Sequence, residues 1–188
     1  MALKHAVLAA LTEGEATGYE LSKRFDVSVA NFWPASPQQI YRELDRLEKD
    51  GMLEARLVEQ SSRPNKRIFN VTEAGSAELL RFIETESKPT GVRDDLLVKI
   101  VALDDENSEA VEAAVRGRQE QAAAKLSIYL DLQAAAIGDG TEEEFLTAET
   151  PPGPYLALLR GIRFEQDNIA WCDTVLDVLV KRRARIPG

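Results

Sequence analysis

The chain of 188 residues has very little of what builds metal centres and covalent active sites: one cysteine, Cys172, and one histidine, His5. A single cysteine excludes a disulfide framework and a cysteine-based zinc site. A single histidine argues against a His/Cys metal cluster and against a Ser–His triad. The sequence also lacks a phosphate-binding glycine loop and a nucleophile–base pair, so it predicts neither an enzyme nor a bound cofactor.

Long apolar runs are missing too, because none approaches the roughly 18–20 residues that a membrane-spanning helix needs. The amino terminus, MALKHAVLAALTEGEATGYEL, lacks the layout of a signal peptide with a small-residue cleavage site. With 44% hydrophobic and 29% charged residues, the composition is that of a globular protein. The sequence therefore predicts a cytoplasmic protein of one large domain or two small ones.

Positive charge is scarce, since the 23 Lys and Arg residues are outnumbered by 32 Asp and Glu residues, which gives a formal net charge of −9. The deficit is uneven: residues 1–85 carry a net −2 and residues 86–188 a net −7. An acidic total argues against a non-specific coat for nucleic acid. It does not exclude a local basic patch, because screening limits the reach of distant charges to about 8–10 Å at cellular salt.

Hydrophobic periodicity and capping signals organise the first half of the chain. Helices are predicted over residues 2–12, 18–29, 36–51 and 73–87. Thr17 with Glu20, and Ser36 with Gln39, have the spacing of a capping box. The segments MLEARLVEQ and KRIFNV alternate polar and apolar residues on either side of SSRPN, which predicts a β-hairpin. This order predicts a winged helix-turn-helix, with the third helix as the reading helix and the hairpin as the wing.

The second half predicts a helical domain behind a connector at residues 88–94. Its helices are predicted over residues 94–104, 108–138 and 155–185. The last helix has heptad spacing in the stripe Leu158, Ile162, Glu165, Ile169, Cys172, Leu176 and Leu179. Because its other faces are apolar as well, this helix must be buried on more than one side, and a second subunit is the simplest cover. The fold class is therefore mainly α with a small β-hairpin wing: a winged helix-turn-helix over 1–87 and an antiparallel long-helix dimerisation domain over 88–188.

Three stretches resemble the PadR family of transcriptional regulators: GYELSKRF (18–25), SPQQIYRELDRLEKDGML (36–53) and SRPNKRIFNVTEAG (62–75). The two long carboxy-terminal helices resemble those of the family's longer members, in which this domain forms the dimer. The resemblance implies a homodimeric repressor, often relieved by a small aromatic or drug-like ligand. Two residues depart from the family's pattern: Ser62 stands at the usual wing glycine, and Thr17 at the commoner histidine.

Polar residues of the reading helix and the wing are the candidates for contact with double-stranded DNA. Gln can pair with adenine and Arg with guanine, and each good contact discriminates by about 1–3 kcal/mol. No acid lies between Glu59 and Glu73 to balance the three wing cations, which predicts that they reach phosphates or the minor groove. The predicted contacts are Tyr19, Lys23, Ser36, Gln38, Gln39, Tyr41, Arg42, Arg63, Lys66 and Arg67. The alternatives are a solvated helix face and a charged turn that keeps an edge hairpin soluble.

A ligand site between the two domains could stack an aromatic effector and hold its carboxylate with an arginine. The candidates are His5, Phe32, Trp33, Tyr129, Tyr155 and Arg163. Ordinary core packing is the favoured alternative for each aromatic side chain. Acids Glu142–Glu144 follow Thr141 at capping-box spacing and are interpreted as a helix start rather than as a metal site.

Two functions remain open on the sequence alone. The first is a dimeric, ligand-responsive repressor that binds a pseudo-palindromic operator with half-sites about one helical turn apart. The second is a protein-interaction module that uses the winged helix as a docking surface. The cationic wing and the polar face of the reading helix favour the first.

Overall fold

The structure is a computed structural model that describes residues 2–25, 33–59, 65–87, 91 and 93–184. The chain divides into two compact units, Met1–Pro89 and Thr90–Gly188. The first unit contains α1 (Ala2–Leu11), β1 (Ala16–Thr17), α2 (Gly18–Arg24), α3 (Pro37–Lys49), β2 (Leu53–Val58), β3 (Lys66–Val71) and α4 (Glu73–Ile83). The second contains α5 (Asp95–Val101), α6 (Ser108–Ile137), α7 (Glu142–Thr147) and α8 (Gly153–Arg183). Among the described residues, no helix has both the length and the apolarity to cross a membrane.

The first unit is the predicted winged helix. Its antiparallel sheet has the strand order β1-β3-β2, and Phe69 at its centre lies opposite Ala16 on one side and Ala55 on the other. The predicted hairpin is confirmed, with Leu53 to Val58 paired against Val71 to Lys66. Strand β1 was not predicted, because two residues are too few to show an alternating pattern.

Helix α3 begins and packs as its sequence predicts. The Ser36 hydroxyl accepts a hydrogen bond from the Gln39 amide at 3.3 Å, and the Ser36 amide donates to the Gln39 side chain at 2.8 Å. The inward stripe of Ile40, Leu44 and Leu47 is almost fully buried, next to the core of α1, α2 and the sheet. Burying each such side chain stabilises the fold by about 1.5–3 kcal/mol. The stripe therefore fixes which face of α3 remains free.

Helix α4 is shorter than predicted. The Thr72 hydroxyl caps it by accepting from the Gly75 amide at 3.1 Å, as expected. At its other end, the amide and the hydroxyl of Thr85 both donate to the Phe82 carbonyl, at 3.1 and 2.6 Å. These bonds close a turn at the carboxy terminus, so the helix ends at Ile83 rather than continuing to residue 87.

The second unit is built on α6 and α8, which run antiparallel. The direction follows from three pairs along the two helices: Gln133 with Tyr155, Lys125 with Glu165 and Gln119 with Asp173. The heptad stripe faces inward, with Ile162, Glu165, Cys172 and Leu179 buried, and Leu158, Ile169 and Leu176 half-buried. Burial raises the pKa of the Cys172 thiol, which is the behaviour of a core residue.

The polar position in this stripe has partners of its own. Glu165 is 3% exposed and accepts a hydrogen bond from the side-chain Nδ2 of Asn168 at 2.9 Å, with the Lys125 ammonium at 3.7 Å. A buried carboxylate needs such partners, since an unpaired charge is costly to desolvate. Asn168 and Lys125 therefore supply the partners that the single carboxylate of this heptad stripe needs.

The acidic run that follows α6 starts a helix. Both bonds of the Thr141–Glu144 capping box form, and Glu142–Glu144 occupy the first turn of α7. The backbone and side-chain bonds from Thr141 lower the pKa of Glu144. Acids are favoured at this end of a helix by its dipole. The start of α7 accounts for this cluster of acids.

Candidate nucleic-acid interface

The outer face of α3 is polar and open to solvent. Gln38 and Arg42 lie one turn apart on this face and are both exposed, opposite the buried stripe. Within the part of the chain that the structure describes, Arg42 makes no ion pair. Side chains with free donors and acceptors on an exposed helix face are what recognition of base edges requires.

An open groove of about 620 Å³, here called the head groove, lies beside this face. Its lining comes from the end of β1, the start of α2, the middle of α3, and β3 with the residue before it: Thr17, Gly18, Tyr19, Glu20, Tyr41, Asp45, Asn65, Lys66, Arg67 and Phe69. Tyr19 is 65% exposed and Tyr41 46% exposed, so both rings are accessible along it. The groove combines two tyrosines, two cations and two acids, Glu20 and Asp45.

Gly18 lies against the ring of Tyr41 where α2 meets α3. A Cβ atom at this position would lie 2.3 Å from the Cε1 atom of Tyr41. Since real carbon atoms do not approach so closely, any larger residue would push the Tyr41 ring out of its place. The glycine therefore leaves room for the Tyr41 ring at the start of α2.

The predicted phosphate contacts on α2 are exposed. Lys23 lies on the outer side of α2 with its ammonium 5.9 Å from the centre of the Tyr19 ring. This distance is within the range of a cation–π contact. Both side chains point to the same stretch of surface, next to the head groove.

Lys66 and Arg67 are neighbours in sequence with different surroundings. Lys66 is exposed at the first position of β3, and it makes no ion pair with any residue that the structure describes. The Arg67 guanidinium, by contrast, is bound by Asp45 at 2.9 Å and by Glu48. The expectation that no acid balances the wing cations is therefore wrong for Arg67, because its acids come from α3 and not from the wing itself.

Two of the reading-helix candidates also serve the fold. The capping box uses the hydroxyl of Ser36 and the side-chain oxygen of Gln39. Gln39 therefore has less freedom to pair with a base than Gln38 has. The remaining wing candidate, Arg63, lies outside the described residues, as does Phe32.

His5, a candidate for ligand contact, is held inside the first unit. Its ring stacks on Phe82 with centroids 3.9 Å apart, and its Nε2 atom lies 3.1 Å from a Glu78 carboxylate oxygen. Lys4 and Arg81 bind the same carboxylate, at 2.5 and 2.7 Å. Hydrogen bonds from Lys4, Arg81 and His5, in that order, lower the pKa of Glu78 to about 2. This cluster ties α1 to α4. The sequence could not reveal it, because its residues on α1 and its residues on α4 are more than 70 positions apart.

The other effector candidates lie in packed or exposed positions within their own units. Trp33 is half-buried against the core of the winged helix, and Arg163 is exposed on α8. Tyr129 and Tyr155 are 3% and 4% exposed on α6 and α8. The Tyr155 hydroxyl donates to Glu142 at 2.9 Å and accepts from Gln133 at 3.2 Å.

The partners of Tyr155 hold α7 against the two long helices. Its ring also packs on Phe145, with the ring centroids 4.7 Å apart. Burial of the phenol is the main reason that the pKa of Tyr155 is raised. Core packing thus accounts for this tyrosine, and none of its contacts needs a ligand.

A winged helix carrying a polar reading face, followed by a long-helix unit, is the architecture of a winged-helix transcriptional regulator. A sequence model described as "Transcriptional regulator PadR-like family" matches residues 7–81, and one described as "Virulence activator alpha C-term" matches residues 92–180. "Probable transcriptional regulator Rv1176c" of Mycobacterium tuberculosis is 32% identical over 193 residues, which cover 97% of this chain and 100% of the relative. The chain belongs to the PadR family of transcriptional regulators.

A second relative comes with solved structures. "Negative transcriptional regulator PadR" of Bacillus subtilis is 27% identical over 181 residues, which cover 95% of this chain and 98% of the relative. Its crystal structure with operator DNA matches with a TM-score of 0.73 at 24% identity, over 95% of this chain and 99% of that one. Its structure with p-coumaric acid gives a TM-score of 0.66 at 24% identity, over 95% of each chain. At this identity the superpositions show a shared fold.

Proposed function

We propose that this regulator is a homodimeric repressor that binds a pseudo-palindromic operator and is released from it by a small ligand. In this proposal residues 1–87 bind DNA, and residues 88–188 form the dimer and contribute to effector binding. The observation that carries it is the exposed face of α3, with Gln38 and Arg42, next to a groove entered by Lys66. A helix with such a face is what the major groove admits and reads.

The contacts divide into two groups by chemistry. Gln38 and Arg42 are proposed to read base edges, with support from Ser36, Gln39 and Tyr41 at the same end of α3. The proposed phosphate contacts are Tyr19, Lys23, Arg63 and Lys66. Phosphate contacts supply affinity and register but carry no sequence information, whereas base contacts supply specificity. Because the chain carries a net charge of −9, a local cationic surface is needed for any approach to DNA.

The dimer is proposed from the apolar surface of the second unit. Its large apolar side chains are exposed along α5, α6 and α8: Leu97, Val98, Val101, Ile128, Leu130, Leu132, Leu156, Phe164, Val178 and Val180. Monomeric proteins rarely expose large contiguous apolar patches, and we propose that a second copy of the chain covers these side chains. Two reading helices related by a two-fold axis would then match the two halves of a palindrome.

Repression and release by a ligand are proposed by analogy with the B. subtilis relative. The B. subtilis relative is named a negative regulator, and its structures contain operator DNA in one case and p-coumaric acid in another. We propose the same two kinds of partner for this chain, with a small aromatic acid as the first ligand class to test. Activation of a promoter is the competing outcome, and a reporter driven from the selected operator separates the two by the sign of its response.

The experiment is selection of bound duplexes from a random DNA pool, followed by titration of the winner at several salt concentrations. A palindromic winner and a steep salt dependence are expected, since each phosphate contact contributes about 0.9 to the slope of log affinity against log salt. Gln38→Ala should relax the preference at one base position and cost about 1–3 kcal/mol on the selected operator. Lys66→Ala should lower affinity for all sequences and reduce the slope by about 0.9.

A matched control is Lys99→Ala, which removes an exposed lysine of α5 in the other unit and should change neither quantity. No enriched sequence together with no salt-dependent binding would contradict the proposal. That result would favour the alternative function, a module that docks a partner protein on the winged helix, and would make a search for that partner the next step.

A further inference from the structure

We propose that Arg67 is a positioning residue, which holds the wing against the reading helix through Asp45 and Glu48 and makes no phosphate contact. These three residues are called the wing clamp below. The proposal rests on the proposed DNA-binding function, and it removes Arg67 from the set of cations expected to touch DNA.

The register of the sheet directs Arg67 toward the body of the unit. Side chains alternate between the two faces of a strand, so Arg67, Phe69 and Val71 share one face of β3. Phe69 on this face is 3% exposed, and Val71 packs against the same core. Arg67 therefore extends the inward face of the strand toward α3.

The geometry of the guanidinium fits a clamp. Nη1 of Arg67 lies 2.9 Å from Asp45, Nη2 binds Glu48, and its central carbon lies 5.0 Å from the centre of the Phe69 ring. Asp45 and Glu48 are three residues apart, so they lie on one face of α3. A planar guanidinium can bind two carboxylates and stack on a ring at once, which a lysine ammonium cannot do.

Electrostatics argue against a phosphate contact by the same group. Asp45 and Arg67 both line the head groove, beside the face proposed to meet DNA. If Arg67 left its carboxylates for a phosphate, two neighbouring acids on α3 would face the DNA without a counter-charge. Like charges at this spacing repel each other and would also repel the phosphate backbone. The clamp gives both acids a counter-charge and links β3 to α3.

The consequence for DNA binding is indirect. Lys66 precedes Arg67 on β3, so fixing Arg67 fixes where the Lys66 ammonium enters the groove relative to Gln38 and Arg42. Loss of the clamp should loosen the register between phosphate and base contacts. Discrimination between operator and random DNA should then fall, although no base or phosphate contact has been deleted.

The test compares Arg67→Met, Lys66→Met and Asp45→Asn/Glu48→Gln on the selected operator and on a random duplex across a salt series. Lys66→Met should reduce the salt slope by about 0.9. Arg67→Met should leave the slope within about 0.3 of wild type while lowering the operator-to-random ratio about tenfold, comparable to one mismatched base pair. The double variant keeps Arg67 but should lower the same ratio, with a slope no smaller than that of wild type.

Arg56→Met is the matched control, because Arg56 is an exposed strand arginine that pairs with Glu15 at 2.9 Å and not with α3. It should leave both the slope and the ratio unchanged. Arg67→Lys keeps the positive charge but loses the planar guanidinium that binds two carboxylates at once. It should lower the operator-to-random ratio without changing the salt slope. The proposal is overturned if Arg67→Met reduces the slope as Lys66→Met does, or if the double variant keeps full discrimination.

A measurement without DNA separates failure of the clamp from failure of the proposed function. Thermal unfolding of Arg67→Met, Asp45→Asn and their combination should show non-additive shifts in Tm, because the residues are in contact. Additive shifts would overturn the clamp whatever the DNA results are. Non-additive shifts in a protein that binds no DNA would leave the contact standing and would contradict both its positioning role and the proposed function.

Discussion

The winged-helix unit and the helical unit are of similar length but bury their apolar residues very differently. Eight of the ten largest fully buried side chains lie in the first unit, and only Val115 and Cys172 lie in the second. Of the sixteen large apolar residues exposed among those described, ten lie in the second unit. The first unit thus buries most of the large side chains, whereas the second exposes more of its apolar surface. This difference is what we expect if the first unit binds DNA and the second forms the dimer.

The largest effect is expected from charging the uncovered surface of α5. Val98 and Val101 are 69% and 89% exposed and lie on one side of the helix. If a second copy covers them, Val98→Asp/Val101→Asp should convert the dimer to a monomer, because two unpaired charges would be buried. Sedimentation equilibrium should show the change, while the circular dichroism of the winged helix stays the same. A wild-type monomer, or an unchanged dimer in the variant, would remove this face from the interface.

Substitution of one glycine in each unit should change stability in opposite directions. A Cβ at Gly75 would lie 2.2 Å from the Met52 carbonyl oxygen, so Gly75→Ala should destabilise the first unit by about 1–3 kcal/mol. A Cβ at Gly117, inside α6, meets nothing within 4 Å, so Gly117→Ala should stabilise by about 0.5–1 kcal/mol. Urea unfolding measures both. If Gly117→Ala instead weakens the dimer, then the side of α6 that carries Gly117 belongs to the interface.

A smaller effect is expected at the hydroxyl that holds α7. Tyr155→Phe removes the bonds to Glu142 and Gln133 and should cost about 1 kcal/mol in the free energy of unfolding. Tyr19→Phe is the matched control in the first unit, because Tyr19 is 65% exposed and its change should leave stability alone. Equal effects of the two substitutions would show that the Tyr155 hydroxyl bonds do not stabilise the helical unit.

The last effect is a change with pH, and it concerns the acid that ties α1 to α4. The pKa of Glu78 is about 2 in the folded unit against an ordinary value of 4.5. A lowered pKa stabilises the fold above about pH 4.5, and this contribution is lost as the pH falls toward 2. Glu78→Gln should therefore flatten the fall in stability over this window. Lys4→Met should flatten it in part, and an unchanged pH profile in both variants would contradict the assigned ion pairs.

Local signals in the sequence predicted much of the fold. The capping boxes at Thr17, Ser36 and Thr141 all form, because each depends only on residues three apart. The heptad stripe of α8 and the buried stripe of α3 are confirmed for the same reason, since helical periodicity is local. Strand β1 escaped prediction because its pairing with β3 spans more than 50 residues.

The site was harder to predict than the fold. Counting charges along the wing missed the acids of Arg67, which lie 19 and 22 residues earlier on α3. One signal was available. Arg67, Phe69 and Val71 are spaced two residues apart, which places all three on one face of the strand, and the two apolar residues indicate that this is the inward face. For His5 no such signal exists, because its partner Glu78 is 73 residues away.

The most direct test of the account is the effect of half-site spacing on binding to the selected operator. Half-sites of a dimeric reader lie about one helical turn apart, so inserting about 5 base pairs between them rotates one half-site to the opposite side of the duplex. If two reading units are joined through their helical units, affinity should fall about a hundredfold or more, because only one half-site can then be engaged. Equal affinity for the original and the expanded operator would contradict the claim that this chain binds DNA as a pair of reading units.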